Sequence, residues 1–395
     1  MVRRERTDWY LLGSILALLV FGLLMVWSAT QYSPPPKSEI PAVLAPDRTD
    51  HLLLNYRSPR FLKQLGAAVF ALALMLALQR RDYRKLNSAQ WAYGVTALSL
   101  ALLVVVFLAD PKDHRFLRLG PLGLQPSELA KPALALFLAY FAAPGVKTLR
   151  DSRKLTQAAV TVGLMSGAVM LADLGTAAVL LAGTTVVFLA AGLERRYFRI
   201  AIWFAAVSLV IAIPIHPYRL VRVVAYADPE LKLVTWLGLR EVVQQQLEKS
   251  KASQDPRYQL RQSLLALGSG GAFGVGLTKG QQKLGYLPEA HNDFIFAVVG
   301  EELGFAGCCG LLILFLLILW RGLRLARSAL DEFGRYLALG TTTMIVFQAL
   351  LNMSVAVGLL PTKGMPLPMI SDGGSSLVGT LIMFGILLSV SERNG

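Results

Sequence analysis

The chain has few charged residues for its length. Only 16% of its 395 residues are Asp, Glu, Lys or Arg, while 54% are hydrophobic. Soluble domains carry about 25% charged residues, because these side chains solvate their surface. Mean hydropathy is +0.52, and apolar runs long enough to cross a bilayer recur from end to end. This composition excludes a string of soluble domains and predicts an all-α, polytopic membrane protein.

Cysteine and histidine are also scarce, which excludes further classes of protein. The two cysteines, Cys308 and Cys309, are adjacent in an apolar run and cannot form a disulfide framework. The four histidines are scattered without the spacing of a zinc site. The net charge of +14 comes from short basic clusters between apolar runs. Such clusters orient membrane helices, so we predict no nucleic-acid partner.

We predict about ten transmembrane helices in a single membrane domain, residues 1–395. The predicted spans are 9–30, 61–79, 90–109, 127–143, 156–172, 174–192, 200–215, 293–320, 335–359 and 374–391. With ten spans, all the main basic clusters fall on one side, which the positive-inside rule makes cytoplasmic, as are both termini. The first run is longer than the apolar region of a signal peptide and is read as an uncleaved span. The opposite face then carries a Pro-rich loop, 31–60, and a long loop, 216–292.

Carboxylates are concentrated where the eighth predicted span begins. Glu289 and Asp293 stand at its outer end, and Glu301 and Glu302 lie inside it. If a helix runs from Asp293, Glu302 lies about 13 Å deeper, near the outer hydrocarbon boundary. An ionisable side chain at membrane depth needs a partner or a function. We interpret Glu301 and Glu302 as structural partners of basic or backbone groups, and Asp293 as functional.

Other polar residues are predicted on the same outer face, each with a structural alternative. Glu128 and Lys131 share a helix face, where they form a buried pair or Lys131 contacts an anionic ligand. Arg115 suits a phosphate group but also a lipid headgroup. Asp173 belongs to the site or simply caps the sixth span.

The last outer loop, residues 360–373, has an unusual composition for a membrane protein. It contains three prolines, two glycines, Lys363 and Asp372. Regular helix is excluded by these prolines, and irregular backbone at membrane depth is tolerated only inside protein or along a cavity. We predict that this loop forms a cavity wall.

Taken together, six ordered motifs make the chain similar to the SEDS family of bacterial shape, elongation, division and sporulation proteins. They are FLRLGPLGLQPSELAK, ADLGTA, YRLVRVVAYADPE, YQLRQSLLALGSGG, GLTKGQQKLGYLPEAHNDFIFAVVGEELG and LLPTKGMPLPMISDGGSS. The fifth motif and the PTKG sequence resemble the FtsW and SpoVE branch, with RodA as the close alternative. The chain departs from the family pattern in having Asp372 in place of a tyrosine, Arg115-Phe116 in place of Arg-Trp, and extra residues near 230–256.

The resemblance implies a peptidoglycan glycosyltransferase of the bacterial cytoplasmic (inner) membrane that acts in cell division or elongation. It would polymerise lipid II on the outer face into β-1,4-linked strands, extending a glycan attached to undecaprenyl pyrophosphate. Asp293 matches the proposed catalytic base. The residues implied in substrate binding are Arg115, Lys131, Lys363, Glu289, Asp173, Asp372 and His291, and those implied in structural support are Glu128, Glu301 and Glu302.

The same resemblance implies partners and leaves rival functions open. The expected partners are a class B penicillin-binding transpeptidase and other membrane proteins of the divisome or elongasome. No resident cofactor or protein-held metal is expected, although a divalent cation such as Mg²⁺ or Mn²⁺ could assist at the pyrophosphate. The alternatives are a lipid II flippase and a non-enzymatic scaffold. A flippase needs a polar path through the whole bilayer, whereas the inner halves of most predicted spans are apolar.

Overall fold

A computed structural model describes residues 7–31, 58–109, 116–119, 122–199, 226 and 256–394. These residues are almost entirely helical. The first helices are α1 (Trp9–Thr30), α2 (Pro59–Arg80), α3 (Ala89–Ala109), α4 (Pro126–Ala142), α5 (Val146–Arg150), α6 (Ser152–Ala172) and α7 (Leu174–Ala190). They are followed by α8 (Pro256–Ser269), α9 (Ile295–Ser328), α10 (Glu332–Ala356) and α11 (Gly374–Asn394). A short 3-10 helix, Tyr83–Leu86, links α2 to α3, and a small antiparallel hairpin, β1 (Leu117–Leu119) and β2 (Leu122–Leu124), precedes α4.

Within the described ranges, seven helices are long and apolar enough to cross a membrane: α1, α2, α3, α6, α9, α10 and α11. α7 is apolar but only 17 residues long. α4, also 17 residues, begins with Pro126, at a position where a missing N–H does no harm, and contains Pro132. Nine of the ten predicted spans overlap a described helix, and span 200–215 lies outside the described residues. The all-α fold class is confirmed, and the count of ten remains a prediction.

The central helices are α10 and α11. In their most apolar stretches, 67% of α10 and 78% of α11 is buried within the protein, compared with 22% of α2. α11 packs along α2, while α10 packs against α4, α7 and α9. Close backbone approach is required here, because a Cβ on Gly385 of α11 would lie 2.8 Å from the Met75 carbonyl oxygen of α2. α4 is also buried almost throughout, whereas α1, α2, α3, α6 and α9 expose apolar side chains outward, as expected for contact with lipid.

Several helix termini meet at one end of the bundle, here called the basic end. Arg321 of α9 pairs with Asp8, the N-cap of α1. Asp331 caps α10 and accepts hydrogen bonds from Tyr83 and Arg84. Arg393 of α11 donates to the carbonyl of Arg80 at the end of α2. The opposite termini of the same helices form the other end, here called the site end.

The eighth predicted span differs from the observed helix in two ways. α9 begins at Ile295, two residues after the start of the predicted span, so Asp293 lies in a turn before the helix. The helix is also interrupted at Gly304, whose φ of 68° and ψ of −165° are not helical. A Cβ at Gly304 would lie 2.3 Å from the backbone nitrogen of Gly274, so glycine is required there by space as well as by conformation.

A glycine-rich segment, Gly270–Gly276, fills the break in α9. Breaking a helix leaves carbonyl groups before the break and N–H groups after it without partners. The carbonyls of Glu301 and Glu302 accept hydrogen bonds from the N–H groups of Val275 and Gly276, each at 3.0 Å. The N–H groups of Phe305 and Ala306 donate to the carbonyls of residues 271 and 272. The interruption therefore leaves these four groups paired within the membrane.

Candidate active site

Asp293 lies in an irregular turn at the site end, between the glycine-rich segment and α9. The turn is tight because Glu289 has a left-handed φ of 54° and its carbonyl accepts from the N–H groups of Asn292 and Phe294. Asp293 is partly exposed, and its carbonyl oxygen accepts a hydrogen bond of 2.8 Å from the Asn352 side chain of α10. The catalytic candidate is therefore both accessible and fixed through its backbone.

The segment between α10 and α11, residues 357–373, is the second part of the site end. It is irregular, as predicted from its prolines and glycines, yet Met365, Leu367 and Ile370 are almost fully buried. Side-chain amides replace the missing backbone hydrogen bonds: Asn352 donates to the carbonyl of Met365 at 2.6 Å, and Gln348 donates to that of Pro366 at 2.9 Å. The same Asn352 amide thus holds this segment and the Asp293 turn together.

Titratable groups gather around His291, beside the Asp293 turn. The Arg60 guanidinium of α2 lies 2.8 Å from Nε2 of His291, which must accept because arginine only donates. Burial lowers the pKa of His291, the charge of Arg60 lowers it further, and Asp372 and Glu289 oppose the shift. Burial raises the pKa of Asp372, while the positive charges of Arg60 and Lys63 oppose the shift. The ring of His291 is therefore neutral at pH 7.

Lys363 and Asp173 lie next to each other. Lys363 Nζ is 3.0 Å from Asp173 Oδ1, and the carboxylate is almost fully buried while the lysine is about one-quarter exposed. Asp173 also caps α7, accepting from the Gly175 N–H and the Thr176 hydroxyl. The helix cap that was the structural alternative for Asp173 is present. The same carboxylate pairs with Lys363 of the segment 357–373.

Glu128 and Lys131 form a pair in the protein interior. Both side chains are 0% exposed and their charged atoms are 2.6 Å apart. Lys131 also donates to the side-chain oxygen of Gln348, whose nitrogen holds the carbonyl of Pro366. In this arrangement the charge of Lys131 supports the wall of the site end through Gln348.

Glu301 and Glu302 hold the segment that leads to Asp293. The Glu301 carboxylate accepts from the backbone N–H groups of Gln281 and Gln282. Glu302 is fully buried, pairs with Lys283 at 2.5 Å and accepts from the Ser28 hydroxyl of α1. Both carboxylates thus contact backbone or basic groups, and together they tie residues 281–283 to α9.

The site end therefore brings together most of the residues that the sequence pointed to. Glu289, His291 and Asp372 lie close enough to act on one another's charge, Asp293 lies in the same turn two residues after His291, and Asp173 and Lys363 form a pair. Arg115 lies outside the described residues. Sequence reasoning missed Arg60, Gln64, Lys283, Gln348 and Asn352. Their only signal is a polar side chain in or beside an apolar run.

Metal binding has no direct support in the described part of the chain. No group of three or more His, Cys, Asp or Glu side chains there could hold a metal ion. Magnesium is often held by one or two carboxylates together with substrate phosphates. A divalent cation thus remains a prediction that depends on the substrate.

Comparison with known proteins identifies the family. A family model covering FtsW, RodA and SpoVE, described as a cell cycle protein, matches residues 9–395. The chain belongs to this family. Among its relatives, the probable peptidoglycan glycosyltransferase FtsW of Geobacter metallireducens is 36% identical over 98% of this chain and 96% of that protein. Stage V sporulation protein E of Bacillus subtilis is 32% identical over 99% and 98% of the two chains.

Solved structures give the same result for the fold of this FtsW/RodA/SpoVE family member. A chain from a structure described as "Structural coordination of polymerization and crosslinking by a peptidoglycan synthase complex" matches with a TM-score of 0.72 and 28% identity, over 98% of both chains. The rod shape determining protein RodA of Thermus thermophilus matches with a TM-score of 0.63 and 27% identity, over 98% of this chain and 97% of that one. The family resemblance and the multi-pass membrane fold are thus confirmed.

Proposed function

We propose that this chain is a peptidoglycan glycosyltransferase that polymerises lipid II on the outer face of the cytoplasmic membrane. The observation that carries the proposal is the Asp293 turn, with Glu289, His291 and Asp372 clustered beside it, at the bundle end opposite the basic end. By the positive-inside rule the basic end is cytoplasmic, so the cluster faces outward. Full-length relatives named as probable peptidoglycan glycosyltransferases support the same activity.

In the proposed reaction, Asp293 acts as the general base. The acceptor 4-hydroxyl attacks the anomeric carbon of the donor sugar on the face opposite the pyrophosphate, which inverts an α linkage to β. The hydroxyl proton passes to the Asp293 carboxylate as the new bond forms. The bond between the anomeric carbon and the pyrophosphate oxygen breaks, and undecaprenyl pyrophosphate leaves. A partly exposed carboxylate at the membrane surface suits a substrate whose sugar projects above its lipid.

The leaving pyrophosphate needs positive charge nearby. We assign this role to Lys363, which is partly exposed and held by Asp173, and to Arg115. Lys131 is assigned to support of the wall, because a direct phosphate contact would break its buried pair with Glu128. A divalent cation, if bound, would add charge neutralisation at the pyrophosphate. Glu289, His291 and Asp372 would surround the sugar.

We also propose a class B penicillin-binding transpeptidase as the partner. One structural neighbour comes from a peptidoglycan synthase complex, which supports an assembly of this kind. The proposal includes lipid II and the undecaprenyl-linked glycan as donor and acceptor, and it fits either the divisome or the elongasome.

The test is polymerisation of lipid II by the purified chain, alone and with its transpeptidase partner, followed by separation of the glycan strands by length. Asp293→Asn keeps the size of the side chain but removes the base, and Asp293→Ala removes the side chain. Both should lower the rate by about 100-fold or more, the usual contribution of a general base.

The matched control is Glu332→Gln, a carboxylate at the basic end that makes an exposed pair with Arg335. Exposed pairs contribute little to stability, so this variant should polymerise at the wild-type rate. Wild-type rates in both Asp293 variants would overturn the catalytic assignment. A wild-type chain that makes no glycan but moves labelled lipid II across liposome bilayers would instead support the flippase alternative.

A further inference from the structure

Gln64 of α2 is bonded to the residues on both sides of Asp372. Its side-chain nitrogen donates to the carbonyl of Ser371 and its side-chain oxygen accepts from the N–H of Gly373, each at 3.2 Å. The side chain is only 3% exposed. The donor and the acceptor of the buried Gln64 amide therefore both bond to one three-residue segment, residues 371–373.

That segment is bonded in turn to the turn that carries Asp293. The N–H of Asp372 donates to the carbonyl of His291 at 2.9 Å, and the Ser371 hydroxyl donates to the carbonyl of Asn292 at 2.6 Å. The next carbonyl, that of Asp293, accepts from Asn352. Three consecutive carbonyls before α9 are thus held from outside the turn, two of them by the segment that Gln64 binds.

These contacts matter because the helix does not hold Asp293. α9 begins two residues later, at Ile295, and its N-cap residue Phe294 makes no side-chain capping bond. The turn before it has a non-glycine residue in the left-handed region at Glu289. Such a conformation persists only where surrounding contacts fix it.

We propose that Gln64 is a positioning residue for Asp293, an inference that rests on the proposed polymerase function. Gln64 holds residues 371–373 in the position where Asp372 and Ser371 donate hydrogen bonds to the carbonyls of His291 and Asn292. These bonds fix the position of the Asp293 carboxylate relative to the acceptor hydroxyl. Loss of the amide would leave the base chemically intact but free to move. A displacement of about 1 Å can lower the rate of an enzyme about 100-fold.

The test uses Gln64→Met, which keeps the length of the side chain but removes both hydrogen bonds. We expect kcat for lipid II polymerisation to fall about 10- to 100-fold with little change in KM, because Gln64 acts on the base and not on substrate affinity. Ser371→Ala, which removes the bond to Asn292, should act in the same direction. Ser371→Thr keeps the hydroxyl and should retain most of the activity.

A matched control is available on the same helix. Gln79 is also a buried glutamine of α2, and its side chain donates to Glu392 at the basic end. Gln79→Met therefore removes a similar buried hydrogen bond at a distance from the site. It should lower thermal stability about as much as Gln64→Met while leaving kcat unchanged.

Hydrogen–deuterium exchange gives a second readout that does not depend on activity. Gln64→Met should speed amide exchange in residues 286–294, and Gln79→Met should not. Unchanged exchange in 286–294, or a kcat for Gln64→Met equal to that of Gln79→Met, would overturn the positioning role. An inactive wild-type chain would overturn the polymerase proposal instead, and the exchange measurement would still decide whether Gln64 orders the turn.

Discussion

At the scale of single residues, Asp372 is the most unusual feature of the site end. It is a carboxyl group that is partly buried near His291 and Arg60. Burial raises its pKa even though the positive charge of Arg60 opposes the shift. A carboxyl group whose pKa is higher in the folded than in the unfolded state binds protons more tightly when folded. Its ionisation therefore lowers the stability of the fold as pH rises through the interval between the two values.

Removal of this carboxylate should therefore stabilise the protein at neutral pH. Asp372→Asn is expected to raise the Tm at pH 7.5 by about 1–2 °C, the scale of a fraction of a kcal/mol in a chain of a few hundred residues. The gain should disappear below about pH 4, where an aspartic acid is largely protonated even when unfolded. Thermal unfolding followed at several pH values measures this difference. The control is Glu194→Gln, which changes an exposed carboxylate and should not raise the Tm. A lower Tm for Asp372→Asn at pH 7.5 would mean that the attraction of its carboxylate to Arg60 outweighs the cost of its burial.

At the scale of elements, apolar runs were enough to predict the helices but not their interruptions. The run through α9 continues across Gly304 without a break in hydrophobicity. The break is visible only through hydrogen bonds with Gly270–Gly276, a segment about 30 residues earlier in the chain. No local pattern reveals which backbone groups such a segment will meet.

The residues of the candidate site likewise fall into those that the sequence predicts and those that it does not. Carboxylates such as Asp293 and Glu302 were found because charge in or beside an apolar run is conspicuous. The amides of Gln64, Gln348 and Asn352 were missed, because an uncharged polar side chain is a weak signal. Their partners are mostly backbone carbonyls in remote segments, and these are known only when the helices are packed together.

The Glu128–Lys131 pair of α4 is bonded to Gln348 of α10, and through it to the segment 357–373. Substitutions in this pair test the role of Lys131. Lys131→Met leaves the Glu128 carboxylate buried without its partner, which typically costs about 3–5 kcal/mol. The double variant Glu128→Gln with Lys131→Met removes both charges and should recover most of the loss in Tm. If Lys131 serves only to neutralise Glu128, polymerisation should recover with stability. Recovery of Tm without recovery of activity would show that activity needs the Lys131 amine itself, through its bond to Gln348 or through the substrate.

At the scale of the whole molecule, the separation of the basic end from the site end makes the direction of insertion a central prediction. Helix termini at the basic end carry Arg84, Arg321 and Arg393, each in contact with a carboxylate or a helix carbonyl. Clusters of Lys and Arg remain on the cytoplasmic side during insertion. We therefore predict that the Asp293 turn, at the opposite termini, faces outward, where a growing glycan and the transpeptidase domain of the proposed partner would be found.

Cysteine labelling tests this orientation directly. In a background with Cys308 and Cys309 replaced by alanine, Tyr286→Cys places a thiol in the exposed turn before Asp293, and Leu330→Cys places one between α9 and α10 at the basic end. Both native side chains are about half exposed, so the two sites are matched in access. A membrane-impermeant maleimide added to intact spheroplasts should label Tyr286→Cys at once and Leu330→Cys only after the membrane is permeabilised. The reverse pattern would put the Asp293 turn in the cytoplasm, where no glycan strand is available to be extended, and would remove the basis for an outward-facing polymerase.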